Sequence, residues 1–350
     1  MENNRKKRIA VLFGGCSSEY EVSLQSAYAV ITHLDIEKYE IILIGIDKTG
    51  MWYLYQGKPE NIPQDTWKTE QDCIPVVVSP DKNLHGILLL KDNGVEKLPI
   101  DKALPILHGK NGEDGTVQGV LELAQIPVIG CNTMSSAVCM DKETAHRLAK
   151  ECGVKVPASY TITKVEAQKK VEAYGKELGY PLFVKPLRAG SSFGITRVTK
   201  QEELQAAVEH AFSYDSKVIL EEMISGFEVG CAVLGTEELT VGAVDEIELS
   251  DGFFDYTEKY TLKSSKIHVP ARISQEKSKE IQEAAMKIYR GLGCSYFARV
   301  DMFLTTDGEI YFNEVNTIPG FTSHSRFPNM LKAVGISFEE ILSRLLCMQS

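Results

Sequence analysis

The chain has little that would tie it to a membrane, an oxidising compartment or a nucleic acid. No apolar stretch approaches the roughly 18 residues that a bilayer span requires. Its eight cysteines stand singly, with no Cys-x-x-Cys and no pairing with His at ligand spacing. That pattern excludes a disulfide framework or zinc site and predicts reduced, buried thiols. Long basic blocks are missing too: 38 Lys and Arg face 48 Asp and Glu, for a net charge of −10, so nucleic acid and anionic membrane are poor partners. Internal repeats and low-complexity linkers are also absent. MENNRKKRIAVLFGGCSS places basic residues before an apolar run, as a secretory leader does, but IAVLF is too short for an h-region and ends in Gly14-Gly15. A buried first strand is expected there, in a cytoplasmic protein that acts on small molecules.

What is present suits a soluble enzyme. The 350 residues, 43% of them hydrophobic and 25% charged, allow two or three domains with ample core. Strand RIAVLF, loop GGCSSE, helix EVSLQSAYAVITHL and strand YEIILIGID follow the α/β grammar of a parallel sheet, repeated in ALPILHG, GTVQGVLELA and IPVIG. Residues 51–100 are polar and turn-rich with weak strands, CIPVVVS and GILLL, and elaborate this first unit. One helix is predicted over SSAVCMDKETAHRLAKECG. Strand PLFVKP, Gly-rich LRAGSSFG and strand ITRVT then form a hairpin-like flap, followed by helix KQEELQAAVEHAFS and strand KVILEEMI. The last third carries several strands, helix QEKSKEIQEAAMKIYRGLG and a terminal helix SFEEILSRLLCM. The fold class is α/β and α+β, with an N-terminal α/β (Rossmann-like) domain over 1–130, a central flap domain over 131–221 and a C-terminal antiparallel-sheet domain over 222–350.

RVDMFLTTDGEIYFNEVN, residues 299–316, reads as two strands around Asp307-Gly308, the strongest short-range hairpin signal. A two-residue turn with Thr306 opposite Glu309 sets Asp301 across from Glu314 and Arg299 across from Asn316, all four side chains on one face. A four-residue loop keeps that parity, and a three-residue bulged loop breaks it. Facing carboxylates repel. Mg2+ removes the repulsion, because it takes oxygens from one or two carboxylates plus phosphate oxygens, and Asn316 would add an amide oxygen. The competing reading is a polar outer face on which Arg299 pairs with a carboxylate as a weak surface ion pair.

NTIPGFTSHSRFP follows directly, a Gly/Pro-rich loop whose hydroxyls and backbone N–H groups suit a carboxylate or an oxyanion. The flap KPLRAGSSFG adds glycines that let backbone N–H groups approach phosphate, two serines, Lys185 and Arg188. A plain tight hairpin is its alternative. Metal clamp and phosphate flap together are more specific than either alone.

FGGCSSEYEVSLQSA, LHGKNGEDGTVQG, CMDK, FVKPLRAGSSFG, EEMISGFEV, FFDYTEKY and RVDMF…FNEVNTIPGFTSHS occur in the order and spacing of one family. The chain resembles the D-alanine:D-alanine ligases, which are ATP-grasp enzymes, from end to end, with looser agreement in residues 51–100. The resemblance implies that ATP phosphorylates the carboxylate of a first D-alanine and that the amine of a second substrate attacks the acyl phosphate. It implies that Asp301, Glu314 and Asn316 hold two Mg2+ ions, with Mn2+ as a substitute, and that Lys142, Lys185, Ser192 and Lys259 hold the phosphates. Glu221 and Glu222 match an adenine-binding hinge, and Glu228 the acid that takes the ribose hydroxyls. Glu19 would bind the ammonium of the first D-alanine, with His108 beside that substrate. Ser191 and Tyr260 match residues that bond with Glu19 and pin the flap and the EKY loop closed, excluding water. Arg299 and the Gly320 N–H would stabilise the oxyanion, and Ser325 would bind the second carboxylate. A homodimer is expected by analogy.

Two positions depart from the usual pattern. Phe254 stands where a tyrosine is usual, and Arg326 where an aliphatic residue is usual. A D-serine hydroxyl could accept a hydrogen bond from Arg326, and a site with a buried donor rejects the analogue that leaves it unpaired. This pair resembles the D-alanine:D-serine ligases of vancomycin resistance, with Asp245 as a possible partner orienting Arg326. The alternatives are an ordinary D-alanine:D-alanine ligase with Arg326 in solvent, and a silent nucleotide-binding regulator. Intact Lys259 and Tyr260 disfavour a D-lactate-specific site.

Overall fold

The computed structural model describes residues 5–190, 193–249 and 265–349. Its first sheet begins with β1 (Lys7–Gly14), β2 (Tyr39–Ile46) and β7 (Lys102–Pro105), with β1 parallel to both others. Both faces of β1 are covered, which is why IAVLF is apolar without a break. Ile9, Val11 and Phe13 enter one core layer and Ala10 and Leu12 another, the alternation a strand dictates. Residues 51–100 extend this sheet as β3 (Trp52–Tyr55), β4 (Cys73–Val78), β5 (Gly86–Lys91) and β6 (Gly94–Pro99), all antiparallel. Strand order across the seven is β6-β5-β4-β3-β2-β1-β7.

Around the sheet lie α1 (Tyr20–His33) and α2 (Thr116–Leu123). The single helix expected over residues 135–153 is two, α3 (Thr133–Met140) and α4 (Lys142–Glu151). Asp141 breaks it. Its backbone is extended, and its carboxylate accepts the Thr144 N–H at 3.0 Å as the N-cap of α4.

A second sheet, order β10-β9-β11-β8, combines β8 (Ser159–Thr163), β9 (Leu182–Pro186), β10 (Thr196–Val198) and β11 (Lys217–Glu222). Helices α5 (Lys164–Leu178) and α6 (Gln201–Ala211) cover it, closing a core of its own.

The third sheet holds β12 (Gly226–Gly235), β14 (Asp245–Leu249), β15 (Ser265–His268), β16 (Phe297–Thr305) and β17 (Ile310–Asn316), with β13 (Leu239–Val241) paired to β12. Helix α7 (Gln275–Gly291) packs on one face. Against the other, α8 (Arg326–Lys332) and α9 (Phe338–Cys347) share a core with β1 and α1. Helix α8 begins inside the segment expected to be loop, taking its last three residues, Arg326, Phe327 and Pro328.

Among the described residues no helix is long and apolar enough to cross a membrane. The cysteines are all free, but only four are buried, and Cys16 and Cys347 are exposed, contrary to the expectation of eight buried thiols.

Candidate active site

Asp301 on β16 pairs with Glu314 on β17, and Arg299 pairs with Asn316. The expected facing arrangement is present, reached by a different route. The turn has three residues, since Thr305 N–H donates to the Glu309 carbonyl at 3.0 Å, and Leu304, Phe303 and Met302 pair one position off the expected register. A bulge at Asn313 then inserts one extra residue and restores the pairing at Asp301.

Cationic side chains meet these acids. Arg299 donates to Asp301 through Nε (2.8 Å) and Nη2 (2.7 Å), and Asn316 Nδ2 donates to Asp301 at 2.8 Å. The ion pair of the competing reading therefore exists, but Asp301 is only 1% exposed, so it is no surface pair. Lys142 Nζ lies 3.8 Å from Glu314 and donates to the Ala189 carbonyl at 2.9 Å. Lys142 is buried at the start of α4, where the break at Asp141 puts it. No group of three or more His, Cys, Asp or Glu among the described residues converges tightly enough to hold a metal. Two carboxylates and an amide on one face still fit a hard divalent cation in donor type, once Arg299 turns away and the Asn316 amide flips to present its oxygen in place of its NH2.

In the second sheet Lys185 and Glu221 form a buried ion pair. Glu221 Oε2 is also buried and has no hydrogen-bond partner among the described residues, which leaves an acceptor fitted to an exocyclic amine. Glu222 instead accepts the Ala158 N–H at 2.7 Å. Arg188 turns away from the flap to a bidentate pair with Asp215. Glu19 lies between two glycines: a Cβ at Gly109 would overlap its Oε2, and one at Gly190 would come within 2.8 Å of it. Ser191, Ser192, Phe254, Lys259 and Tyr260 lie outside the described residues.

Arg326 is buried at 8% exposure. Its Nε and Nη2 donate to Asp245 at 2.7 and 2.8 Å, and Nη1 donates to Glu228 at 2.7 Å and lies 3.5 Å from Asp301. Burial alone would lower its pKa, but Asp245, Asp301 and Glu228 more than reverse that, so the charge is held. A cation in the first turn of a helix opposes the helix dipole; three carboxylates compensate. Glu228, matched to ribose, is thus bonded to Arg326. Gly230 provides the room. It pairs with Asp245 on one side and Asp301 on the other, and a Cβ there would overlap Arg326 Nη2.

His108 has both ring nitrogens engaged, Nδ1 with the Ile318 carbonyl (2.9 Å) and Nε2 with Ser26 Oγ (3.2 Å). Burial pushes it down to about 4. Ser325 Oγ accepts the Thr322 N–H at 3.0 Å and sits against Gly320. Sequence reasoning missed Gly230, Ser26 and Glu113, although Glu113 lies inside the quoted LHGKNGED.

A glycine-bearing flap sheet, linked through Lys142 to a sheet that carries paired acids, is the arrangement of an ATP-grasp ligase. The descriptions "D-ala D-ala ligase N-terminus" and "D-ala D-ala ligase C-terminus" match residues 8–131 and 148–347. The chain belongs to the D-alanine:D-alanine ligase family, whose members are ATP-dependent ligases. It is 57% identical to the solved VanG D-Ala:D-Ser ligase from Enterococcus faecalis, with TM-score 0.92 over 98% of this chain and 99% of that one. The solved D-alanine-D-alanine ligase from Coxiella burnetii is 33% identical, with TM-score 0.86 over 97% and 93%. Vancomycin B-type resistance protein VanB of Enterococcus faecalis is 47% identical over 97% of this chain and 98% of its own length.

Proposed function

We propose that the protein joins D-alanine to D-serine through a D-alanyl phosphate, supplying cell-wall precursors that end in D-Ala-D-Ser. The observation that carries this reading is the seating of Arg326. Its guanidinium is buried and fixed by Asp245 and Glu228. Arginine has five N–H donors and these bonds use three, so donors remain for a substrate hydroxyl. D-alanine would leave such a donor unpaired. The VanG ligase named above, described as D-Ala:D-Ser, supports the same choice.

Bound ATP with Mg2+ supplies the phosphoryl group and neutralises its charge. Asp301, Glu314 and Asn316 would hold the metal, Lys142, Lys185, Ser192 and Lys259 the phosphates, Glu221 and Glu222 the adenine, and Glu228 the ribose. Glu19 would hold the ammonium of the first D-alanine. Ser191 and Tyr260 would close the flap over it, which keeps water from the acyl phosphate. Arg299 and the Gly320 N–H would stabilise the tetrahedral oxyanion, and Ser325 would take the second carboxylate beside Phe254. Gly320 suits that role: its N–H makes no hydrogen bond among the described residues.

The test is phosphate release and product identity with D-alanine, D-serine and D-lactate offered together at several pH values. The expected kcat/KM favours D-serine over D-alanine by about 5- to 150-fold, the range set by about 1–3 kcal/mol for an unpaired buried donor. Arg326→Leu should abolish the preference. Equal turnover of both amino acids by the unmodified enzyme would leave an ordinary D-alanine:D-alanine ligase, and no amino-acid-dependent phosphate release a silent nucleotide binder.

A further inference from the structure

The loop carrying Gly320 belongs to the third sheet's side of the molecule, but the groups that hold it come from the first. Ile318 is gripped at both backbone polar atoms: its N–H donates to Glu113 Oε1 at 3.1 Å, and its carbonyl accepts from His108 Nδ1 at 2.9 Å. The other oxygen of Glu113 accepts the Gly109 N–H at 2.8 Å, which fixes the carboxyl group to its own loop. Three residues on, the Phe321 N–H donates to Ser26 Oγ at 3.3 Å, and that hydroxyl lies 3.2 Å from His108 Nε2.

Donor and acceptor rules order the protons along this chain. A carbonyl only accepts, so His108 Nδ1 carries the hydrogen. Nε2 of the neutral ring must then accept from the Ser26 hydroxyl, whose oxygen remains free to accept from Phe321. Every group is satisfied by the neutral imidazole, whereas a second ring proton would meet a hydroxyl with nowhere to donate. The environment favours the neutral ring as well, since burial is the main cause of its lowered pKa.

Between the two anchored amides stand Pro319, which has no N–H, and Gly320. The frame therefore occupies the backbone donors on either side and leaves the Gly320 N–H without a partner among the described residues. We propose that Glu113, His108 and Ser26 are positioning residues that clamp Ile318 and Phe321 so that the Gly320 N–H is held at a fixed place for the reacting centre. This rests on the reading of Gly320 as an oxyanion donor, and it assigns work to Glu113 and Ser26, which touch no substrate in that reading.

Two variants test it from opposite sides of the loop. Glu113→Gln keeps one acceptor oxygen and turns an amide toward the other N–H. Ser26→Ala removes the Phe321 N–H acceptor and the donor to His108 Nε2, and leaves both bonds of Glu113 in place. Each should lower kcat at least tenfold while KM for ATP stays within twofold, because nucleotide contacts are untouched. Hydrogen exchange should speed up at least tenfold in peptides spanning 317–322 and stay unchanged in β9 and β11. Either variant retaining kcat within twofold, or showing unaltered exchange in 317–322, would overturn the clamp. If Glu113→Gln does not fold, Ser26→Ala decides alone. Absence of amino-acid-dependent phosphate release from the unmodified protein would sink the ligase reading instead, and the exchange data would still judge the clamp.

Discussion

At the scale of single residues, His108 makes a stability prediction with a definite sign. Burial holds the folded imidazole at about 4 against about 6.5 in the unfolded chain. Below pH 6.5 the unfolded state gains a proton that the native state refuses until about pH 4. Stability from this group is therefore present above 6.5 and lost as pH falls to 4, by about 3 kcal/mol, and is flat below. Glu113 acts in the other direction. Burial, then repulsion from Glu19, pushes its carboxyl up to about 8, so the native state holds that proton more firmly than the unfolded one, and acidification from pH 8 stabilises. In the overlap the two oppose, which hides both in the unmodified protein. His108→Asn removes one of them. Urea unfolding between pH 7 and 4 should show that variant losing less stability on acidification than the parent. Parallel curves would mean that the ring is charged in the folded state.

At the scale of elements, the break between α3 and α4 links local capping to the proposed phosphate ligand Lys142. Asp141→Ala removes the acceptor for Thr144 N–H, which costs about 1 kcal/mol, and lets helix continue through residue 141. Lys142 would swing off the Ala189 carbonyl and away from Glu314. The expected result is a small fall in melting temperature with KM for ATP raised about tenfold, a coupling worth about 1.4 kcal/mol. Unchanged KM would detach Lys142 from the phosphates. This break was not legible beforehand: SSAVCMDKETAHRLAKECG keeps helical periodicity across Asp141, and only the side-chain cap competes with it. The opposite happened at the acid pair. The two-residue turn read at Asp307-Gly308 placed Asp301 against Glu314; the turn has three residues, and the Asn313 bulge cancels the one-residue error. Phe312 and Val315, both buried and three apart, are the signal that a regular strand could not be right. Arg326 stood out in the sequence because its residue type was unusual. Gly230, which makes its seat, did not, because a glycine in a strand says nothing about a side chain from a distant helix. Clamp residues Glu113 and Ser26 were hidden for the same reason: their partners lie roughly 200 to 300 positions away along the chain.

At the scale of the whole molecule, the cores divide the chain differently from its order in sequence. Ile9, Val11 and Phe13 of β1 share one cluster with Phe297, Phe321 and Phe327, and with Ile341 and Leu345 of α9. The first and third sheets are therefore joined through apolar burial, which is cooperative, and the clamp on Ile318 crosses the same boundary. Residues of β8 to β11 with α5 and α6 close a separate cluster. The proposed function asks the flap to open for nucleotide and close for chemistry, and a separate core suits that independence. Unfolding should accordingly show two units and not three. Leu345 is fully buried, and Leu345→Ala should cost about 2–5 kcal/mol. Native-state hydrogen exchange would report that cost in β1 and in β12 and β16 alike, although Leu345 is more than 300 positions from β1. Amides of β9 and β11 should keep their opening free energy. Loss confined to the third sheet would show that the first sheet stands by itself, and equal loss in β9 and β11 would show that the flap has no freedom of its own.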